Sequence, residues 1–335
     1  MKNNFITLAH GAGAQVSREF IKKMILKYFS NPILNTLDDA AALNLKTNKI
    51  AFTTDSYVVS PIFFNGGNIG DIALCGTVND LSVKGAKPLY ISLSVIMEEG
   101  LPLKDVEKIL TSISKRAKEA GVKIVTGDTK VVERGSADKI FITTSGIGEI
   151  IKDTNISAAN VKTGDAVIVS GELGEHGVTI LNARHELGIN GNLKSDVAPL
   201  NLITQAILNK FPKDMRCMRD LTRGGLTAAL TEIAEACGKD IEVQATALPV
   251  NKKVAAAAKL LGVDPLQSAN EGKFVCFASA KRAQEILKII KNSKYGKNAA
   301  IIGTVQKKGG KVFLKTQLTK RQLTQDANNN LPRIC

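Results

Sequence analysis

Acidic residues beside small, hydroxyl or amide neighbours recur along the chain: Asp38-Asp39, Thr54-Asp55, Asn79-Asp80, Gly127-Asp128 and Asp220. Brought together, they would form a carboxylate cluster suited to magnesium, a hard cation that prefers oxygen ligands and usually accompanies nucleotide phosphates. Taken singly, such an Asp is more often a turn or helix-capping residue. His10-Gly-Ala-Gly13 and Arg223-Gly-Gly225, which opens a helix, could each offer main-chain N–H groups to phosphate. Neither GxxxxGK with a following Ser or Thr nor a GxGxxG after a strand occurs, so a nucleotide site here is of neither the P-loop nor the Rossmann kind.

Five cysteines (Cys75, Cys217, Cys237, Cys276 and Cys335) stand at irregular spacing with no CxxC pair, so neither a disulfide framework nor a zinc site is readable. The first four read as core residues. Cys335 differs because it is the last residue of the sequence, after Pro332-Arg-Ile. A prenylation signal would need its cysteine fourth from the end. His176, after Gly174-Glu175, and His185, within a helix, read as structural or exposed, which leaves His10 as the histidine near a possible nucleotide loop.

These groups need elements to carry them. Lys49 to Thr54 reads as a strand delivering Asp55, Gly70 to Lys84 as a helix stopped at Gly85, and Leu89 to Met97 as a strand. Val106, Ile109, Leu110, Ile113, Ala117 and Ala120 follow the helical period, with Gly121 as the stop. The strand Val122 to Val125 then carries Thr126-Gly-Asp-Thr-Lys130 to its end. The pattern restarts at Lys162, with strands at 166–170, 273–278, 300–305 and 311–314 and helices at 177–187 and 225–237. The spacing predicts an α/β and α+β chain of two domains, 1–158 and 159–320, with a boundary near 155–163 and a mobile, Asn-rich tail over 321–335.

With 335 residues and 44% hydrophobic content the chain suits a globular protein with a sizeable core. No apolar run approaches a membrane span and the start lacks a signal-peptide layout, so a cytoplasmic protein without membrane contact is expected. Most of the net charge of +14 lies after residue 280, where thirteen Lys and Arg face only Glu285 and Asp326. Such a block could steer an acidic partner or simply be a solvated face. No aromatic platform or zinc finger accompanies it, and no nucleic-acid partner is expected.

Asp80, four residues on to Gly85-Ala-Lys-Pro88, matches the D-x4-G-A-x-P signature of an ATP-binding superfamily. That superfamily includes aminoimidazole ribonucleotide synthetase, selenophosphate synthetase, thiamine-monophosphate kinase and the HypE hydrogenase-maturation factors. Leu37-Asp-Asp-Ala-Ala41, Thr54-Asp55, Gly127-Asp-Thr129 and Met218-Arg-Asp-Leu-Thr-Arg-Gly-Gly225 follow in its order. The opening Ile6-Thr-Leu-Ala-His-Gly-Ala-Gly13, Ala269-Asn-Glu-Gly-Lys273 and the Pro332-Arg-Ile-Cys335 end resemble the HypE family in particular. Ala14 and Leu221 depart from its usual Gly and Pro, which bears on local backbone geometry alone.

The resemblance implies ATP-dependent dehydration of a carbamoyl group on Cys335 to a thiocyanate, the cyanide source for the iron of [NiFe]-hydrogenase. It implies the carbamoyltransferase HypF as donor, a HypC-HypD complex as acceptor, and a homodimer sharing a β-barrel. It places ATP against Asp55, Thr77, Asn79, Gly127, Asp128, Thr129 and Arg223, and Mg2+ on Asp39, Asp80 and Asp220. Lys130 and Glu271 are implied beside the modified Cys335, as anion stabiliser and base. The alternatives are a silent carbamoyl or cyano carrier and a selenophosphate-synthetase-like enzyme. Against the latter, the opening loop holds His10 and no cysteine.

Overall fold

The computed structural model describes residues 4–12, 15–38, 40–185, 193–324 and 333–335. A helical stretch opens the chain, α1 (Gln15–Phe20) and α2 (Leu26–Phe29) flanking a π-helical turn. Next come β1 (Ile50–Tyr57), the short pair β2 (Phe63–Phe64) and β3 (Gly67–Asn68), α3 (Ile69–Val83), β4 (Ala86–Glu98), α4 (Leu103–Ala120), β5 (Lys123–Val132) and β6 (Ile140–Ile150). Strands β1, β6, β4 and β5 lie in that order in one sheet. One face of it takes α3 and α4. The opposite face carries Phe52, Thr54, Ser56 and Ile96, a row that no helix or sheet among the described residues covers.

Local chemistry accounts for these elements. Asn68 caps α3 by accepting from Gly70 N–H at 2.8 Å, while Asp71 accepts from the Asn68 N–H at 3.0 Å, a reciprocal capping box. Almost every side chain of α3 is buried, so this helix lies beneath the sheet rather than at the surface. α4 buries the apolar stripe read from its period and ends on Gly121 at φ 71°.

The second half holds β7 (Ala166–Val169), α5 (Glu175–His185), α6 (Asn201–Lys210), β8 (Met215–Asp220), α7 (Gly225–Cys237), β9 (Lys239–Gln244), α8 (Lys252–Leu261), β10 (Phe274–Ala278), α9 (Ala283–Lys291), β11 (Ala300–Lys308), β12 (Val312–Lys315) and β13 (Lys320–Leu323). Its seven strands run β13-β12-β9-β11-β7-β10-β8, antiparallel except for β12 beside β9. Val167 and Val169 enter one core and Ala166 and Ile168 another, so β7 is buried on both faces, which explains its unbroken apolar run.

Two expectations need correcting. Arg321 to Leu323, taken above as the start of the tail, pair with β12 as the edge strand β13. At the other end Arg333 to Cys335 are docked: Ile334 is 5% exposed in the core of the first half and Cys335 packs against that core. Residues 325–332 between them lie outside the described residues. Among the described residues no helix is long and apolar enough to cross a membrane.

Candidate active site

Asp55 near the end of β1 and Asp80 on α3 meet beneath the first sheet. Thr53 Oγ1 donates to Asp80 Oδ2 at 2.8 Å, and Asp80 is also hydrogen-bonded to Asp55. Asp220, at the end of β8, joins them from the second half. Burial first, then the charges of Asp220 and Asp55, push the Asp80 carboxyl up to about 7. Burial likewise lifts Asp220 to about 6, with Arg219 opposing and Asp55 adding to the rise. Asp39 lies outside the described residues.

The donor set fits magnesium: three carboxylates from three elements crowd together and suffer mutual repulsion that a hard cation would relieve. Among the described residues no group of three or more acidic, His or Cys side chains forms a ready-made metal centre.

Glu271 is 2% exposed, and its Oε1 has no hydrogen-bond partner. Burial, followed by Asp196, Asp220, Asp55 and Asp80, pushes its carboxyl well above the usual range. Cys335 lies within reach of the same charges. Burial first, then Glu271, raises its thiol to about 12, with Arg223 pulling the other way. The segment carrying Cys335 is held by main-chain bonds: Val58 N–H to Cys335 O at 3.3 Å, Ser60 N–H to Arg333 O at 3.2 Å, and Arg184 Nη2 also to Arg333 O. Arg333 donates to Val58 O and pairs with Asp138, both at 2.8 Å.

Arg223 sits in the loop before α7. Gly225 opens that helix at φ 57°, and a Cβ there would stand 2.6 Å from Ser268 O, so a larger residue would displace the loop.

Several sites anticipated from the sequence have other surroundings. Thr77 is wholly buried and bonds Thr144 Oγ1 at 2.6 Å. Asn79 gives both amide protons to Glu271 O and Ala198 O and accepts from Leu200 N–H. As placed, both brace the protein interior rather than face a ligand. His10 is buried edge-on to Phe20 and accepts from the Thr7 N–H at 3.0 Å. Gly13 and Ala14 lie outside the described residues.

Gly127, Asp128, Thr129 and Lys130 line a separate cleft of about 450 Å³ with Arg18 and Asp38. Lys130 pairs there with Asp128 at 2.6 Å. Asp55, Thr144, Leu93 and Gly127 lie level across the sheet, which puts β5 three strand spacings, about 14 Å, from β1. Lys130 is aligned with Ile96, on the face opposite the buried Leu93 and Val95. Within one chain, therefore, Lys130 is not brought to Cys335, and the expectation that it sits there with Glu271 is not met.

Residues 37–150 match the family "AIR synthase related protein, N-terminal domain" and residues 162–315 its C-terminal counterpart. Carbamoyl dehydratase HypE of Escherichia coli (strain K12) is 44% identical over 99% of this chain and 100% of its own. The chain belongs to the HypE family. A crystal structure of the hydrogenase maturation protein HypE in complex with ATP superposes with a TM-score of 0.94 at 44% identity, covering 98% of this chain and 99% of that one. A HypE chain from a HypE-HypF complex gives 0.81 at 43% identity, covering 91% and 99%. The two-domain α/β and α+β expectation is borne out by both domain matches and these HypE structures.

His176, read above as structural or exposed, has a more particular place. It is wholly buried in the first turn of α5, and its Nε2 meets Ile334 O at 2.9 Å. A lone histidine after Gly-Glu carries no signal of that kind.

Proposed function

We propose that this chain is an ATP-dependent carbamoyl dehydratase that converts S-carbamoylated Cys335 to a thiocyanate, whose cyano group supplies the iron of a [NiFe]-hydrogenase. The observation that carries the reading is the docking of Cys335 against the core of the first half, close enough to feel the charge of Glu271, a carboxyl whose buried Oε1 lacks a partner. A carbamoyl NH2 on Cys335 would supply the missing donor.

An amide oxygen is a poor leaving group. Attack by that oxygen on the γ-phosphorus of ATP expels ADP and makes the oxygen part of a phosphate ester. Loss of the N–H protons and departure of phosphate then close the C≡N bond, so the water leaves as phosphate oxygen plus protons. Glu271 in its ionised form is the base proposed for an N–H proton, and its raised proton affinity makes that form the stronger base. Arg223, whose charge is felt at Cys335, would stabilise the charge that develops at the oxygen. Magnesium, held by Asp80 and Asp220 with Asp55 supporting, would neutralise phosphate charge. Asp39 is proposed as a further ligand.

Docked Cys335, with its thiol pushed to about 12, is a poor nucleophile, so carbamoylation belongs to an undocked tail reaching a HypF-type carbamoyltransferase. A HypC-HypD-type complex is the proposed acceptor of the cyano group. A homodimer in which β1 of one copy pairs with β5 of the other would close the sheets into a barrel, cover the outward row around Phe52, and set the strand bearing a second copy's Lys130 beside β1.

Intact mass after treatment with the carbamoyltransferase and carbamoyl phosphate, then ATP and magnesium, tests the reading. A carbamoyl adduct that loses one water only with ATP, and is absent in Cys335→Ala, is expected. An adduct indifferent to ATP would leave the carrier alternative standing.

A further inference from the structure

Three side chains, those of His176 and Asp196 buried and that of Ser195 half-buried, link the two reacting partners. His176 meets Ser195 Oγ through Nδ1 at 2.7 Å and Ile334 O through Nε2 at 2.9 Å. A main-chain carbonyl can only accept, so Nε2 carries the proton. Burial holds the imidazole below its ordinary pKa and hence neutral, which leaves Nδ1 bare to accept from the Ser195 hydroxyl.

The next residue, Asp196, is also buried. Its carboxylate accepts from Asn270 Nδ2 at 3.0 Å, Glu271 N–H at 3.1 Å, Gly272 N–H at 3.3 Å and Lys273 Nζ at 3.0 Å. Burial works against its charge, yet Lys273 and these donors hold it below the usual range. The two segments touch main chain to main chain: a Cβ on Gly272 would lie 2.0 Å from Asp196 O.

We infer that His176 and the Ser195-Asp196 step form one positioning device that sets the distance between Cys335 and Glu271. This rests on the dehydratase reading above. His176 fixes Cys335 through the preceding carbonyl, Asp196 fixes the loop carrying Glu271, and adjacency in sequence locks the two together. The side chain at 176 must donate to a carbonyl without adding charge to a buried place, which a neutral imidazole does and Lys or Arg does not. None of the three touches the reacting atoms, so they are positioning residues, and an error near 1 Å in such a device costs on the order of 100-fold in rate.

The full chain and its His176→Phe, His176→Gln and Ser195→Ala variants are tested in two ways. In the nucleotide-free protein, alkylation of Cys335 by iodoacetamide, read by peptide mapping, reports docking whatever the chemistry of the site. In carbamoylated protein freed of small molecules, one turnover with ATP and magnesium reports dehydration. Loss of this buried hydrogen bond predicts alkylation and dehydration rates changed about tenfold in His176→Phe, faster and slower respectively. His176→Gln, which restores a neutral donor, should recover most of both, with Ser195→Ala between. Wild-type alkylation in His176→Phe, or a Gln variant as impaired as Phe in both assays, would overturn the device. A wild-type chain that alkylates slowly yet never loses water would overturn the dehydratase reading and not the docking contact.

Discussion

Thr53 Oγ1 donates to Asp80 Oδ2 across 2.8 Å, tying β1 to α3 at the point where the carboxylates converge. The bond favours the ionised form of Asp80 against the burial that raises its proton affinity. Thr53→Val should therefore leave Asp80 protonated to higher pH and weaken magnesium-dependent ATP binding by about tenfold, consistent with a bond worth about 1.5 kcal/mol to a charged group. Calorimetric titration with and without magnesium checks it, and Thr53→Ser should behave as wild type.

Ile334 is the tail's apolar anchor. Ile334→Ala removes buried surface worth about 2 kcal/mol or more, which is comparable with the docking contacts themselves. Carbamoylation by an external donor should be retained and dehydration should slow by tenfold or more. Parallel loss of both steps would show instead that the residue serves folding.

Lys130 gives a stoichiometric prediction. If a second copy supplies it, mixing equal amounts of Lys130→Ala and Cys335→Ala chains should restore about a quarter of the wild-type rate, because half the dimers are mixed and each holds one complete site. Each variant alone should be nearly inactive. Failure of the mixture, with exchange of chains verified by mass, would argue against a shared site.

Stability should depend on pH with a sign opposite to the familiar acid-unfolding case. Burial raises Glu175 from 4.5 to about 7, with Lys273 opposing, so the folded state holds a proton that the unfolded chain releases. Stability conferred by this group is full below pH 4.5 and declines as pH rises to about 7. Glu175→Gln should flatten that decline by on the order of 1–3 kcal/mol, measured as denaturant midpoints at pH 5 and 7.5.

Much of the fold was legible because its signals are strong. The α4 stripe with Gly121 as a stop, and α7 over Gly225–Cys237, follow directly from periodicity and capping. β13 was hidden because Lys320, Arg321 and Gln322 are exposed and only Leu323 is buried, so an edge strand reads as a polar tail. In the site, the charges of Asp55, Asp80 and Asp220 all bear on Glu271, so these motif residues lie near one another. Lys130 of the same chain is not brought to Cys335, because motif order does not say which sheet face a residue occupies or which copy of the chain supplies it. Thr77 and Asn79 show the same limit: a polar residue beside a site Asp can serve the ligand or the scaffold, and only its partners decide.

Asn79 has a wider consequence. One amide on α3 binds Glu271, Ala198 and Leu200, so it is shared by the sheet that bears Asp55 and the segment that bears Asp196. Separating the halves as a clamshell would strip three buried hydrogen bonds at once. The same side chain that braces the loop of Glu271 therefore also rivets the two halves to each other, so the halves resist parting where the carboxylates meet.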